Sequence, residues 1–153
     1  MTKFRPTRVL AVSSGGGHWV QMMRLRSAFA GADVHYATVD SSAASAVAPA
    51  PLHVYADANK DTKLGLIKAA LQLSVIVVKL RPDVVVSTGA AGGFLAIAIA
   101  RLFGARTMFI DSIANAEKLS LSARLAQKVA HRVLTQWPDV ARRSGSEFCG
   151  AVL

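Results

Sequence analysis

Short apolar runs alternate with longer segments of helical periodicity along this chain. The runs predicted to form strands are residues 9–13, 34–39, 52–55, 83–87, 107–110 and 133–134, and the segments predicted to be helical run from His18 to Gly31, within 41–51, and over 63–80, 94–103 and 121–130. Strands that alternate with helices in this way indicate βαβ units around a parallel sheet. No repeat and no linker divides the sequence, so we predict one α/β domain over residues 1–153.

Composition supports a folded domain that has an anionic partner. Of the 153 residues, 52% are apolar and 18% are charged, which excludes a disordered chain. Lysine and arginine number 18 against 9 acidic residues, a net charge of +9. A basic balance of this size is typical of proteins that bind nucleic acid, a phosphate-bearing ligand or an acidic membrane surface. Composition alone does not distinguish these three partners.

The cysteine content and the lengths of the apolar runs indicate the cellular compartment of the protein. Cys149 is the single cysteine, so the chain has no internal disulfide and no spacing for a zinc site. The apolar run 9–12 is shorter than the about 7–15 residues of a secretion signal. The segment 64–80 is interrupted by two lysines and a glutamine and falls below the ~20 apolar residues of a spanning helix. We therefore expect a cytoplasmic protein without a transmembrane segment.

A run of three glycines separates the first predicted strand from the first helix. Gly15, Gly16 and Gly17 precede His18, at the start of that helix. Glycines let a backbone approach an anion closely, and a helix start directs unpaired N–H groups towards it, so phosphate is the natural ligand. The glycines are consecutive and no Walker lysine follows, so neither common nucleotide motif is matched. The alternative interpretation is a tight turn that needs glycine.

A second glycine-rich segment follows the clearest predicted strand. It contains Thr88, Gly89, Gly92 and Gly93 and is predicted to be a loop before the helix 94–103. Both glycine segments lie at the carboxyl ends of parallel strands, where ligands bind in open α/β sheets. Two such loops on one edge suit a diphosphate. The alternative is that these glycines allow close packing between helix and strand.

Two ionisable residues at the same edge are candidates for proton transfer. His18 opens a helix, whose positive end favours the neutral imidazole, and a neutral imidazole can accept a proton from a sugar hydroxyl. Asp111 follows an apolar strand and could bind a substrate hydroxyl or act as a base. The alternatives are that His18 only binds the ligand or caps its loop, and that Asp111 caps the turn through Ser112 or Asn115.

The longest predicted helix, 63–80, is apolar on nearly all sides and has lysines around it. A helix of this kind can lie in an anionic membrane interface, with basic residues reaching the head groups. It can equally be a buried helix with lysines at its exposed margin. Aromatic residues close to basic ones are limited to Phe4 and Trp19, so a stacking surface for nucleic acid is not supported.

Five motifs in this order form a family pattern: SSGGGH at 13–18, DVVVSTGAAGG at 83–93, IDS at 110–112, LSLS at 119–122 and QWP at 136–138. Together they resemble the membrane-associated subunit of the split UDP-N-acetylglucosamine transferase of asparagine-linked glycan assembly and its bacterial exopolysaccharide counterparts. The two glycine motifs are also similar to the acceptor-binding half of the peptidoglycan N-acetylglucosaminyltransferase that makes lipid II. The resemblance covers nearly the whole chain.

The resemblance implies a Rossmann-like parallel sheet with helices on both faces, equivalent to the N-terminal half of a GT-B glycosyltransferase. A separate small protein would supply the half that binds the UDP-sugar donor, and this chain would be inactive without it. Transfer would be inverting, without metal or cofactor, to a polyprenyl-diphosphate-linked sugar. Many eukaryotic relatives carry an N-terminal membrane anchor that this sequence does not show, so attachment at the inner face of the cell membrane is expected to be peripheral or through a partner.

The resemblance also implies roles for particular residues. His18 and Asp111 would be catalytic, with His18 the first candidate for the base because Asp111 is one methylene shorter than the family's usual glutamate. The acceptor diphosphate would be bound by Gly15, Gly16, Gly17, Thr88, Gly89, Gly92 and Gly93. The acceptor or the partner subunit would be contacted by Ser112, Asn115, Gln136 and Trp137.

Two other functions remain open at this stage. In the first, the chain is a non-catalytic scaffold that recruits and activates a catalytic partner at the membrane. In the second, it is a stand-alone Rossmann domain that binds a dinucleotide, for which an acidic residue is expected about 20 residues after the glycine loop. Asp40 lies near that place, whereas the consecutive glycines and the QWP motif argue against this function.

Overall fold

A single parallel sheet of seven strands organises the molecule. The computed structural model describes residues 5–58 and 62–152. The strands are β1 (Arg8–Val12), β2 (Asp33–Thr38), β3 (Leu52–Val54), β4 (Val84–Ser87), β5 (Arg106–Ile110), β6 (Arg132–Thr135) and β7 (Glu147–Phe148), in the spatial order β3-β2-β1-β4-β5-β6-β7. The order reverses between β1 and β4, so a crevice forms at the carboxyl ends of these two strands.

Helices cover both faces of the sheet. They are α1 (Gly17–Leu25), α2 (Ala44–Val47), α3 (Lys63–Leu80), α4 (Ala90–Leu102), α5 (Leu121–Ala126) and α6 (Pro138–Ser144), with 3-10 turns at Arg26–Phe29 and Ser41–Ala43. Side chains alternate along β1: Leu10 and Val12 join the core with α3, α4 and α5, whereas Ala11 packs with Met22 of α1. The expected α/β fold with helices on both faces is therefore confirmed.

The structure changes the limits of several predicted helices and adds two elements. The helix expected from His18 to Gly31 ends at Leu25 and continues as a 3-10 turn. The helix expected at 94–103 begins at Ala90, so the loop predicted over 88–93 contains only its first two residues. The helix expected to reach residue 130 ends at Ala126. Helix α6 and strand β7 were not predicted, since they have seven and two residues and carry too short a pattern. Part of the loop predicted over 56–62 lies outside the described residues.

Helix α3 has the predicted limits, Lys63–Leu80. It ends where Arg81 adopts the left-handed conformation (φ 50°) before Pro82, which cannot continue a helix. Ala69, Leu73 and Val77 of this helix are buried in the core. In the described part of the chain, no helix combines the length and the apolar content that crossing a bilayer requires.

Candidate active site

A cleft of about 480 Å³ opens at the carboxyl edge of the sheet. Its walls come from the segments that follow β1, β3, β4 and β5, which the parallel topology brings to one edge. The residues that line it are His18, Asp57, Ala58, Ala90, Ala91, Ser112, Ala114, Asn115, Ser120, Leu121 and Ser122. None of these described lining residues is a lysine or an arginine, so an anion here would be held by backbone N–H groups and helix ends.

The first turns of α1 and α4 both reach this cleft, through His18 and through Ala90 and Ala91. The first turn of a helix has N–H groups without intrahelical partners and carries a partial positive charge. The residue before α1, Gly16, has a φ of 63°, and it is exposed together with Gly17. The first glycine segment therefore presents accessible backbone next to His18, whereas Gly15, Gly16 and Gly17 are not among the residues that line the cleft.

Gly89, in the second glycine segment, lies against His18, which follows the first segment. Its φ of 135° and ψ of −172° belong to a region that is essentially restricted to glycine. A Cβ added at Gly89 would lie 2.5 Å from Nδ1 of His18 and 2.6 Å from Cε1. The absence of a side chain at Gly89 therefore allows the imidazole of His18 to pack against this turn.

The other two glycines of the second segment have a packing role. Gly92 and Gly93 are buried inside α4. A Cβ on Gly92 would lie 2.6 Å from Cε2 of Tyr55, and a Cβ on Gly93 would overlap Oγ of Ser87. The assignment of Gly92 and Gly93 as diphosphate ligands in an open loop is thus corrected: they bring α4 against β4 and Tyr55.

Hydrogen bonds fix the orientation of His18. Its Nδ1 lies 3.0 Å from the backbone oxygen of Thr88, and Thr88 Oγ1 donates to the backbone oxygen of His18 at 2.8 Å. A carbonyl oxygen only accepts hydrogen bonds, so Nδ1 carries the proton. In the neutral ring, Nε2 then holds the lone pair. His18 is half-buried and lines the cleft, which makes Nε2 a candidate proton acceptor.

Asp111 is buried rather than exposed in the cleft, with only 1% of its surface accessible. Asn115 Nδ2 donates to Oδ1 at 3.1 Å, and the backbone N–H of Ser120 donates to Oδ2 at 2.9 Å. Both oxygens therefore accept hydrogen bonds that hold the segment 112–120 against the sheet. This geometry agrees with the alternative in which Asp111 stabilises the following turn.

The four predicted contact residues divide into two groups. Ser112 and Asn115 line the cleft. Gln136, in contrast, is buried, donates through Nε2 to the Asp111 carbonyl oxygen at 3.0 Å and accepts from the Val152 N–H at 2.7 Å. Gln136 thus holds the last segment of the chain against the sheet. The expectation that Gln136 contacts the acceptor or the partner subunit is corrected, because the side chain is buried.

Trp137 lies at the rim of the same sheet edge. It is 36% exposed, and its indole N–H donates to the backbone oxygen of Ile113 at 2.7 Å. This bond fixes the indole against the segment that follows β5, which forms one wall of the cleft. The exposed part of the ring therefore remains available to a partner.

The sequence analysis missed Asp57, which lines the same cleft. The neighbouring Tyr55 is buried, and its hydroxyl donates to the Ser13 backbone oxygen at 3.0 Å. Burial, and secondarily the negative charge of Asp57, raises the pKa of Tyr55. Asp57 follows a strand at the carboxyl edge, which is the signal that could have identified it.

Asp40 does not have the position of a ribose ligand. Its carboxylate accepts the Ser42 N–H at 2.8 Å and caps the 3-10 turn Ser41–Ala43. Hydrogen bonds from Ser42 lower the pKa of Asp40. The acidic residue that a dinucleotide-binding domain would use is therefore engaged in a local cap.

A separate apolar surface lies on α3. Its outer face consists of Leu64, Ile67, Leu71, Val75 and Val78, spaced three or four residues apart and all exposed, Leu64 to 81% and Leu71 to 64%. The exposed Phe103, after α4, lines the same hollow as Val78. One side of the helix is therefore buried and its outer face is exposed, and the membrane contact expected for that face stays a prediction.

Comparison with known proteins identifies relatives in the same family. The family model described as "Oligosaccharide biosynthesis protein Alg14 like" matches residues 53–152. The UDP-N-acetylglucosamine transferase subunit ALG14 of Eremothecium gossypii is 29% identical over 170 residues, which covers 90% of this chain and 76% of that protein.

Solved structures show the same fold at low identity. MurG of Acinetobacter baumannii superposes with a TM-score of 0.71 at 15% identity, over 88% of this chain and 43% of its own. The UDP-N-acetylglucosamine 2-epimerase of Rickettsia bellii gives 0.70 at 11% identity, over 94% of this chain and 43% of its own. The chain thus spans less than half the length of these proteins, and the similarity confirms a Rossmann-like fold of the GT-B type. On the match of its residues 53–152, the chain belongs to the family of Alg14-like oligosaccharide biosynthesis proteins.

Proposed function

We propose that this protein is the acceptor-binding subunit of a two-chain inverting glycosyltransferase in polysaccharide or glycolipid biosynthesis. The enzyme would transfer a sugar from a UDP-sugar to a polyprenyl-diphosphate-linked acceptor. The observation that carries the proposal is the cleft, in which the first turns of α1 and α4 converge beside His18. The name of the Eremothecium relative, a UDP-N-acetylglucosamine transferase subunit, supports the class of donor.

The acceptor diphosphate would bind between the two helix starts. Gly15, Gly16 and Gly17 would supply backbone N–H groups on one side, and the first turn of α4 on the other. Thr88 and Gly89, which were also expected to bind the diphosphate, are buried, and their N–H groups donate to Val12 and Ser87, so they shape the turn instead. A diphosphate in this position would be stabilised by the partial positive charges at the N-termini of both helices. Ser112 and Asn115 line the same cleft and would contact the acceptor sugar.

His18 would act as the general base. The acceptor hydroxyl oxygen attacks the anomeric carbon of the donor, the bond from that carbon to UDP breaks, and UDP departs with the electron pair. The hydroxyl proton passes to Nε2, which holds the lone pair because Nδ1 donates to Thr88. Asp111 would position the wall of the cleft, since both its oxygens accept hydrogen bonds from that wall.

The donor would be bound by a second, smaller subunit. The cleft lies open at one edge of this chain, and an aligned donor and acceptor are needed for efficient transfer. Trp137, partly exposed at the rim, is suited to contact that subunit because aromatic side chains dominate protein interfaces. The complex would be a hetero-oligomer, and this chain would not turn over alone.

The outer face of α3 would attach the complex to the cytoplasmic side of the membrane. Five exposed apolar side chains form that face, and Lys63, Lys68 and Lys79 are exposed on the same helix. Apolar residues flanked by lysines bind anionic bilayers through burial and charge together. This surface would place the cleft within reach of a lipid-linked substrate.

Co-purification with the candidate small subunit tests the enzymatic proposal. We expect transfer from a UDP-sugar to a polyprenyl-diphosphate-linked sugar only when both chains are present, and loss of transfer in His18→Ala with the complex intact. If the small subunit alone turns over fully, or if His18→Ala retains activity, the scaffold function is favoured. Absence of both association and transfer would contradict the proposal.

Vesicle co-sedimentation tests the membrane surface. We expect the chain to bind phosphatidylcholine vesicles more strongly when phosphatidylglycerol is included, and Leu71→Gln to weaken this binding. Val20→Gln is the matched control, because Val20 is 50% exposed on α1, a helix on the other face of the sheet. Equal binding by the two variants would contradict a role for α3.

A further inference from the structure

Asp57 is an acidic side chain in a cleft that is otherwise built to receive an anion. Two helix starts border the cleft, and no described lining residue is basic. A carboxylate near a bound diphosphate repels it, and hydrogen bonds that the carboxylate accepts from the ligand offset this cost. A bare prenyl diphosphate has no hydroxyl to donate, whereas a sugar attached to it has several.

The backbone holds Asp57 firmly in place. Tyr55, two residues before it, is buried and bonded to Ser13, and the Ala56 N–H donates to Gln72 Oε1 of α3 at 2.7 Å. Ala58, directly after it, is buried in the core. Asp57 itself is exposed and lines the cleft, so its carboxylate is presented on an anchored segment.

We propose that Asp57 is a specificity-determining residue that accepts hydrogen bonds from hydroxyls of the diphosphate-linked acceptor sugar and discriminates against prenyl diphosphates without a sugar. This inference rests on the proposed function. The discrimination has an attractive part, the hydrogen bonds to the sugar, and a repulsive part, the charge against the diphosphate. A neutral amide in its place loses the repulsive part and weakens the attractive part, because a hydrogen bond to an amide oxygen is weaker than one to a carboxylate.

Binding of short-chain probes to the full chain tests this inference. The probes are farnesyl diphosphate and farnesyl diphosphates that carry one glucose, galactose or N-acetylglucosamine residue. The wild-type chain should bind at least one glycosylated probe more tightly than the bare diphosphate. Asp57→Asn should lower the affinity for that glycosylated probe by about tenfold, because the hydrogen bond to a neutral amide is weaker than the bond to a carboxylate, and should raise the affinity for the bare diphosphate.

Asp139→Asn is the matched control, because it removes the same charge from an exposed residue of α6 outside the cleft. It should leave the ratio of the two affinities unchanged. If the wild-type chain binds farnesyl diphosphate but no glycosylated probe better, or if Asp57→Asn keeps the wild-type ratio, the role of Asp57 is refuted while the diphosphate site stands. If the wild-type chain binds none of the probes, the proposed function itself fails.

Discussion

Replacement of Gly89 by alanine tests the link between the two glycine segments. Alanine would be forced into the backbone region with φ 135° and ψ −172°, at a cost of about 1–3 kcal/mol. Its Cβ would also lie 2.5 Å from Nδ1 of His18, so the imidazole must move and lose its bond to Thr88. That hydrogen bond contributes about 0.5–1.5 kcal/mol, which brings the expected loss to about 2–4 kcal/mol.

Gly104→Ala is the matched control for backbone strain. Gly104 has a φ of 84° and no atom within 4 Å of the position of an added Cβ. Alanine there costs about 1–2 kcal/mol for the left-handed conformation alone. The difference between the two variants, roughly 1–2 kcal/mol, contains the contact with His18 and the additional strain of the Gly89 conformation.

Urea unfolding followed by circular dichroism measures this difference. With a slope of about 1–3 kcal/mol per molar urea, the midpoint of Gly89→Ala should lie roughly 0.5–1 M below that of Gly104→Ala. Nitrogen-15 spectra of the imidazole should show the proton on Nδ1 of His18 in the wild type and a redistributed proton in Gly89→Ala. Equal midpoints and an unchanged tautomer would refute the reasoning.

Three further variants test the site and the sheet. Asp111→Asn should lower the free energy of unfolding by about 1–3 kcal/mol, because an amide group cannot accept hydrogen bonds from both Asn115 and Ser120. Loss of activity with an unchanged free energy of unfolding would contradict this role. Gly93→Ala should destabilise by about 1–3 kcal/mol in thermal unfolding, and Ser87→Ala should restore part of that loss, since Ser87 Oγ is the clash. Burial, and secondarily a neighbouring histidine, lowers the pKa of His53 below 6.5, so the unfolded chain binds more protons and stability should fall below about pH 6.5. His53→Gln should reduce this slope in urea titrations at several pH values.

Periodicity predicted β1, β2, β4 and β5 well because apolar positions of these strands are buried, whereas β7 is exposed and has no such run. Val84–Ser87 of β4 form an apolar run closed by Ser87, and no helical pattern competes with it. The start of α4 was predicted four residues too late, because Gly92 and Gly93 have low helix propensity. Contacts with Tyr55 and Ser87, which are distant in sequence, favour helix at those glycines.

The site was predicted in outline and corrected in detail. The strand ends identified both glycine segments and His18, since parallel topology brings these ends together. Asp111 and Gln136 were expected in the site for their chemistry and their motifs, but the sequence carries no sign that their polar atoms are satisfied by Ser120 and Val152. Asp57 was missed because its segment is polar and has no period.

The sequence by itself indicated the family and the order of the strands and helices up to β6, because motif spacing and hydrophobic periodicity are local properties of a chain. The tertiary structure alone decided which polar groups are buried and which face the cleft. Asp111 and Asp57 have the same side chain but different environments. Asp111 is 1% exposed and stabilises the following segment through hydrogen bonds, whereas Asp57 is exposed in the cleft. The physical reason is that burial and hydrogen-bond satisfaction depend on neighbours distant in sequence, which only the folded chain brings together.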